Sequence, residues 1–211
     1  MFWDTDAWHA YEIAYGDEPG TRSRLLAAAD WRTRVVDLSL SEADLWRGVR
    51  KSYRSLIRRA EREQTIHVWD EHAERPGLWV REFQLSHRLV SGRSTRPMAT
   101  WQIMAEWLRD GHGLMVGMGP REELEWSAFA YAVRHGAWAY YFSGVVQQDN
   151  LSHAAIWTMM LALKVRGVRW FELGWQGEAQ DEKGKHIEFF KRGFGGVDMP
   201  AREAPCLASC A

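Results

Sequence analysis

Lys191 and Arg192 stand between two aromatics in FKRGFGG (190–196), where three of the last four residues are glycine. Two readings are open. Cations at a helix C-terminus meet the negative end of the helix dipole, and glycine ends helices by entering positive φ. A lysine held in a cleft instead stabilises negative charge as it develops on a reacting oxygen. Ile187, Phe190 and Phe194 make an apolar stripe on this stretch with Lys191 beside it, so the lysine belongs to a core edge. Glu172 is the second candidate, because it interrupts the apolar run VRWFELG (168–174). A carboxylate at a strand end can bind an ammonium group or act as a base. The alternative is an exposed position on a half-buried strand.

Other polar groups gather in two places. The loop SGRSTRP (91–97) carries Arg93 and Arg96 around Thr95, with His87 before it and Trp101 and Gln102 after it. Two arginines in a turn can clamp a phosphate or carboxylate, or hydrogen-bond helix-terminal carbonyls. The stretch YYFSGVVQQDNLSHAAIW (140–157) ends a strand and begins a helix, with Ser143 on the strand side. Asn150 or Ser152 can cap that helix, leaving its N–H groups open to a polar ligand. His153, in the first turn, can be a base or a structural residue.

Charge is patterned most clearly over residues 41–63. Leu45, Val49, Tyr53, Leu56 and Ala60 share one helical face, and Arg47, Lys51, Arg54, Arg58 and Arg62 the opposite one. Between Trp46 and Arg62 seven basic residues face only Glu61. A stripe of one sign suits phosphate or RNA; a solvated face is the competing reading.

The elements that position these residues follow from periodicity and punctuation. RTRVVDLSL (32–40) alternates as a strand, and Ser41 with Asp44 opens a helix to about residue 63. TIHVWD (65–70) is a strand. Helices over about 76–91 and 98–110 follow, with Gly92 and Pro97 between them. GLMVGMG (113–119), ELEWSAFAYAV (123–133) and AWAYYFSGVV (137–146) read as successive strands. LSHAAIWTMMLALKVRG (151–167) is a helix apolar nearly all round, VRWFELG a strand and KGKHIEFFKRG (183–193) a last helix. Residues 1–32 are Trp-rich without clear periodicity and stay unplaced, and 197–211 read as a tail. The pattern predicts an α/β (α+β) fold, a mixed, mostly antiparallel sheet with helices on both faces, in one domain over 33–196.

The 211 residues carry a formal net charge of −1, with 46% apolar and 26% charged residues. Nothing global therefore favours nucleic acid or membrane, and attraction must be local. The thirteen tryptophans are expected in the core or as groove walls. Cys206 and Cys210, without partner motifs, give no zinc site and are expected reduced; no metal is implied. No leader or spanning segment is read, so the expected location is cytoplasmic, without membrane insertion.

Taken together, DLS…LWRGVRKSYRSLIRRAERE (37–63), HRLVSGRSTRPMATWQ (87–102), YYFSGVV (140–146), residues 151–174 and KGKHIEFFKRGFGG (183–196) resemble the FemABX-like branch of the GNAT superfamily. The basic helix and the I-x-x-F-K-x-x-F-G ending are the most specific stretches. The resemblance implies a GNAT fold and an acyltransferase. Such enzymes usually take an aminoacyl group from aminoacyl-tRNA and extend a peptide, typically on a cell-wall precursor. It implies a catalytic Lys191 near the tRNA 3′ end; Glu172, from its own position in the chain, is expected to receive the acceptor's ammonium group. Arg47, Lys51, Arg54, Arg58, Arg62 and Arg192 are then expected on tRNA or phosphate. Arg93, Thr95, Arg96, Trp101, Ser143 and His153 are expected on the acceptor.

Fem peptidyltransferases usually have two GNAT-like units, whereas this chain has room for one; a single unit suits another acceptor, such as a peptide natural product. The main rival is an acetyl-CoA N-acyltransferase. Such enzymes cradle the pyrophosphate in a glycine-containing loop, and here the junction reads VVQQDNLSHAA with no glycine. A third reading is an RNA-binding module without catalysis.

Overall fold

A computed structural model describes residues 3, 5–28, 31–121, 125–148, 150–177, 181–201 and 203. Cys206 and Cys210 lie outside the described residues. The chain runs α1 (Asp6–Tyr15), α2 (Thr21–Ala28), β1 (Arg32–Asp37), α3 (Glu42–Gly48), α4 (Lys51–Glu63), β2 (Gln64–Trp69), α5 (Pro76–Ser91) and α6 (Met98–Arg109). It continues through β3 (Gly113–Pro120), β4 (Ala128–His135), β5 (Trp138–Val146), α7 (Leu151–Val165), β6 (Trp170–Trp175), α8 (Glu182–Arg192) and β7 (Val197–Pro200).

The strands form one seven-stranded sheet in the order β2-β3-β4-β5-β6-β1-β7. All neighbours are antiparallel except β5 and β6. Those two pair only through Trp138–Trp170, Ala139–Phe171 and Tyr140–Glu172. Beyond that point β5 runs on to Val146 without β6 beside it, so a cleft opens in the middle of the sheet.

Both faces of the sheet are covered, which explains why the central strands are buried along nearly their whole length. Ala128, Ala130 and Ala132 of β4 face the core shared with α3, α4, α7 and α8. Their small side chains leave room for α7, whose Trp157, Met159 and Met160 fill that layer. The alternate residues Phe129, Tyr131 and Val133 face a second core with Trp8 and Tyr11 of α1, Phe83 of α5 and Trp107 of α6.

Local signals act as read: the Ser41 hydroxyl accepts from the Asp44 N–H at 3.1 Å, Gly92 closes α5 at φ 68°, and Pro97 stands at the start of α6, at its N-cap. Three expectations are corrected. The helix expected over 41–63 is two, because Val49 turns extended at ψ 131° to bury its side chain and the Arg50 N–H donates to Gly193 O at 2.7 Å. The unplaced N-terminus forms α1 and α2. Part of the expected tail forms β7, which completes the sheet by pairing with β1. Among the described residues no helix is long and apolar enough to cross a membrane.

Candidate functional site

Glu172 and Lys191 stand within electrostatic reach of each other where β5 and β6 part. The Glu172 side chain is buried at 3% exposure, and the Thr33 hydroxyl donates to its Oε1 at 2.8 Å. Burial pushes its carboxyl up to about 7, against the Thr33 hydrogen bond and the nearby charges of Arg22 and Lys191. Lys191 is pulled down to about 8, first by burial, with Glu172 opposing and Arg22 reinforcing the shift. Between those values the carboxylate and ammonium are charged together.

Two glycines permit this packing. Gly174 has φ 85° at a bulge in the β1–β6 pairing, and a Cβ there would stand 3.1 Å from the Tyr140 hydroxyl and 3.2 Å from Lys191 Nζ. Lys191 Nζ donates to Trp175 O at 3.4 Å, so the lysine lies along the outer part of β6. Gly193, at the end of α8, lies against the Tyr53 ring, where a Cβ would fall 2.0 Å from a ring carbon. The backbone turn at Gly193 is right-handed, φ −69°; the positive φ expected there belongs to Gly195 and Gly196.

Arg22 is the site residue that sequence reasoning missed. Its Nη2 donates to the Tyr140 hydroxyl at 3.1 Å, and its guanidinium lies 5.1 Å from the Trp3 ring centroid and 5.3 Å from that of Tyr140. The buried Glu12 carboxylate holds the turn that delivers it, accepting the Gly20 and Arg22 backbone N–H groups at 2.7 Å each. A signal for α1 exists: Thr5 caps it, Gly16 ends it at φ 100°, and Trp8, Tyr11, Glu12 and Tyr15 share helical spacing between them.

A second group lies on the α1–α5–α6 face. Arg96 donates to Ser143 Oγ at 3.0 Å and to the Tyr11 hydroxyl at 3.3 Å, and it stacks over Trp101 and Phe142. Ser143 Oγ also lies 3.1 Å from His87 Nε2. Burial, reinforced by Arg96, lowers His87 to about 4, so that imidazole is neutral at pH 7. Thr95 lines a cavity of about 490 Å³ with Trp101 and a second of about 280 Å³ with Arg22 and Arg96. The fold thus brings Thr95, Arg96, Trp101 and Ser143 together. Arg93 is exposed, with its backbone engaged by Ser91. His153 lies on the other face of the sheet, packed on Tyr53 and Phe190, with Nδ1 3.1 Å from Asn150 O. Asn150 makes no side-chain cap. In the first turn of α7 the His153 ring thus packs on Tyr53 of α4 and Phe190 of α8, while Asn150 and Leu151 line a small cavity with Leu56 and Arg59 of α4.

The basic stripe is divided. Arg54 turns back onto the C-terminus of α3, donating to Val49 O at 2.8 Å and Arg47 O at 2.7 Å. Arg47 pairs with Asp44, and Arg58 lies over Trp46. Arg192 donates to Gln176 Oε1 at 3.1 Å and lies 3.6 Å from Asp198. Lys51 and Arg62 are exposed. Arg59, on the same helix, pairs with Glu63. Among the described residues no cluster of acidic, histidine or cysteine side chains has metal-ligand geometry.

No family model and no curated protein matches the chain. Solved structures do. FemX aligns with a TM-score of 0.63 at 14% identity, over 80% of this chain and 59% of its own. The C-terminal domain (DUF2156) of a putative lysylphosphatidylglycerol synthetase from Agrobacterium fabrum aligns at 0.58 and 14% identity, over 87% and 67%. L-PGS from Bacillus licheniformis aligns at 0.55 and 15% identity, over 80% and 57%. The chain therefore spans less than three fifths of FemX and of the Bacillus protein. It has the FemABX/GNAT-like fold, and the Lys191–Glu172 pair sits where the parallel strands of that fold separate.

Proposed function

We propose that the protein is an acyltransferase that forms an amide, moving an aminoacyl group from aminoacyl-tRNA to the amine of a peptide or small-molecule acceptor. The observation that carries this reading is the buried Glu172 carboxyl at the strand cleft, with the Lys191 ammonium near enough to act on it electrostatically. The neutral acceptor nitrogen attacks the ester carbonyl and a C–N bond forms. Negative charge on the carbonyl oxygen, and then on the departing ribose oxygen, is stabilised by the Lys191 ammonium. As the ester C–O bond breaks, one amine proton passes to Glu172 and on to the ribose hydroxyl, so no net proton is consumed.

Two observations favour an aminoacyl ester over a CoA thioester. The junction after β5 lacks the glycines of a pyrophosphate cradle, and His153 in the first turn of α7 is engaged by Tyr53 and Phe190. The resemblance to FemABX-type enzymes supports the same donor. Lys51, Arg58 and Arg62 are the cations best placed to attract tRNA, since their side chains are exposed.

The test is a titration of tryptophan fluorescence at one salt concentration with acetyl-CoA, uncharged tRNA and a non-hydrolysable aminoacyl-tRNA mimic. Preference for the charged mimic, without a CoA response, is expected. Saturable acetyl-CoA binding with charge-blind tRNA binding would replace this reading with acyl-CoA-dependent N-acyl transfer.

A further inference from the structure

The cavity of about 280 Å³ between α1, the start of α2 and β5 is lined by Trp8, Tyr11 and Phe142 on its apolar side and by Arg22, Thr95 and Arg96 on its polar side. Among the described residues neither guanidinium forms an ion pair. Their hydrogen-bond acceptors are neutral: the Tyr140 hydroxyl for Arg22, and Ser143 Oγ, the Tyr11 hydroxyl and Met104 Sδ for Arg96. Two acidic residues, Glu12 and Asp17, line the same cavity without pairing with either guanidinium. Glu12 spends both oxygens on the Gly20 and Arg22 backbone N–H groups, and Asp17 is exposed to solvent. Arg22 Nε and Thr95 Oγ1 are buried without a hydrogen-bond partner. Two fixed cations and two unsatisfied polar groups around one aromatic cavity are costly unless an anion completes them.

Size and position narrow the anion. The volume is at the small end of ligand pockets, enough for one or two residues and too little for a nucleotide-linked precursor. Arg22 joins the cavity to the catalytic cleft, since it also bonds Tyr140 and acts electrostatically on Glu172 and Lys191. A cation there disfavours protonation of an amine, and the reaction requires the amine neutral.

We propose that this cavity is the acceptor pocket and that it takes an amine bearing a carboxylate, an amino acid or short peptide with an apolar side chain. The carboxylate lies between Arg96 and Arg22 and the amine is turned towards Glu172. This rests on the amide-forming reading above but not on its choice of donor.

The experiment is calorimetric titration of the full chain, without donor, with the dipeptide Ala-Phe, its C-terminal amide and inorganic phosphate. The acid is expected to bind at least about tenfold more tightly than the amide, as loss of a charge-assisted pair implies. Arg96→Lys keeps a cation but loses the paired N–H fork; it should remove most of that preference with circular dichroism unchanged. Arg22→Gln is the second variant, because Arg96 also ties Tyr11 and Ser143. Equal binding of acid and amide, displacement of the dipeptide by equal phosphate, or no binding of either peptide would overturn the proposal. Acid preference in a protein that takes acetyl-CoA would refute the donor and leave the pocket standing.

Discussion

Lys191 and Arg58 are both helix cations packed near the same core, yet their surroundings give them different chemistry. Lys191 is half-buried within electrostatic reach of Glu172 and Arg22, and burial moves its ammonium to about 8. Arg58 lies over Trp46 on an exposed surface, in water that screens its charge. The same contrast separates Glu172 from Glu63, which forms an exposed i, i+4 pair with Arg59. A surface pair of that kind contributes a few tenths of a kcal/mol, about 0.3–0.5. Enclosure, rather than the number of cations, is what turns a charge into a chemical group here.

The comparison breaks most directly at the buried pair. Lys191→Ala should lower turnover about a hundredfold or more while changing donor binding far less, because the ammonium acts on charge that develops in the transition state. Equal losses in both quantities would reassign it to binding. The parent's rate should rise through about pH 7 as Glu172 ionises and fall through about pH 8 as Lys191 loses its proton. Glu172→Gln should abolish the lower limb.

Stability sharpens the same point with a smaller effect. The carboxyl of Glu172 titrates higher in the folded chain than the ordinary 4.5, so its contribution to stability is complete below that pH and is lost as pH rises through about 7. Glu172→Gln should therefore raise the melting temperature by a few degrees at pH 8 and leave it nearly unchanged at pH 4, where a shift of about 1 kcal/mol corresponds to about 2–4 °C. A lower melting temperature at pH 8 would mean that the attraction of Glu172 to Lys191 and Arg22 outweighs the cost of burying its charge.

The smallest effects are expected on the basic surface, and there they should divide. Arg54→Ala removes the donor to two α3 carbonyls and should cost about 1 kcal/mol in a denaturant titration. Arg58→Ala with Arg62→Ala should leave stability unaltered and flatten the salt dependence of tRNA binding by a slope of about one to two. Identical behaviour of the two variants would dissolve the distinction between capping and binding arginines.

Much of the scaffold was legible in the chain alone. Ser41 and Gly92 act within a few residues of themselves, so their capping chemistry marks the start of α3 and the end of α5 without reference to the rest of the fold. Runs of apolar and β-forming residues placed the central strands, which are buried on both faces; Phe190 and Phe194 of the expected stripe meet the core beside Lys191, whereas Ile187 is exposed. The break at Val49 was not legible, because it depends on a hydrogen bond to Gly193 from the far end of the chain. His153 carried the right chemistry for a site but packs on Tyr53 and Phe190, on the opposite side of the sheet from Arg96.

What the sequence determined by itself was therefore local: element types, most caps, and a lysine and a glutamate in suspicious positions. Tertiary structure decided which charges are enclosed and who stands next to them. Thr33 reaches Glu172 across 139 residues and Arg22 reaches Tyr140 across 118. Proton affinity depends on burial and on charges a few ångströms away, and those distances are set by packing, not by spacing along the chain.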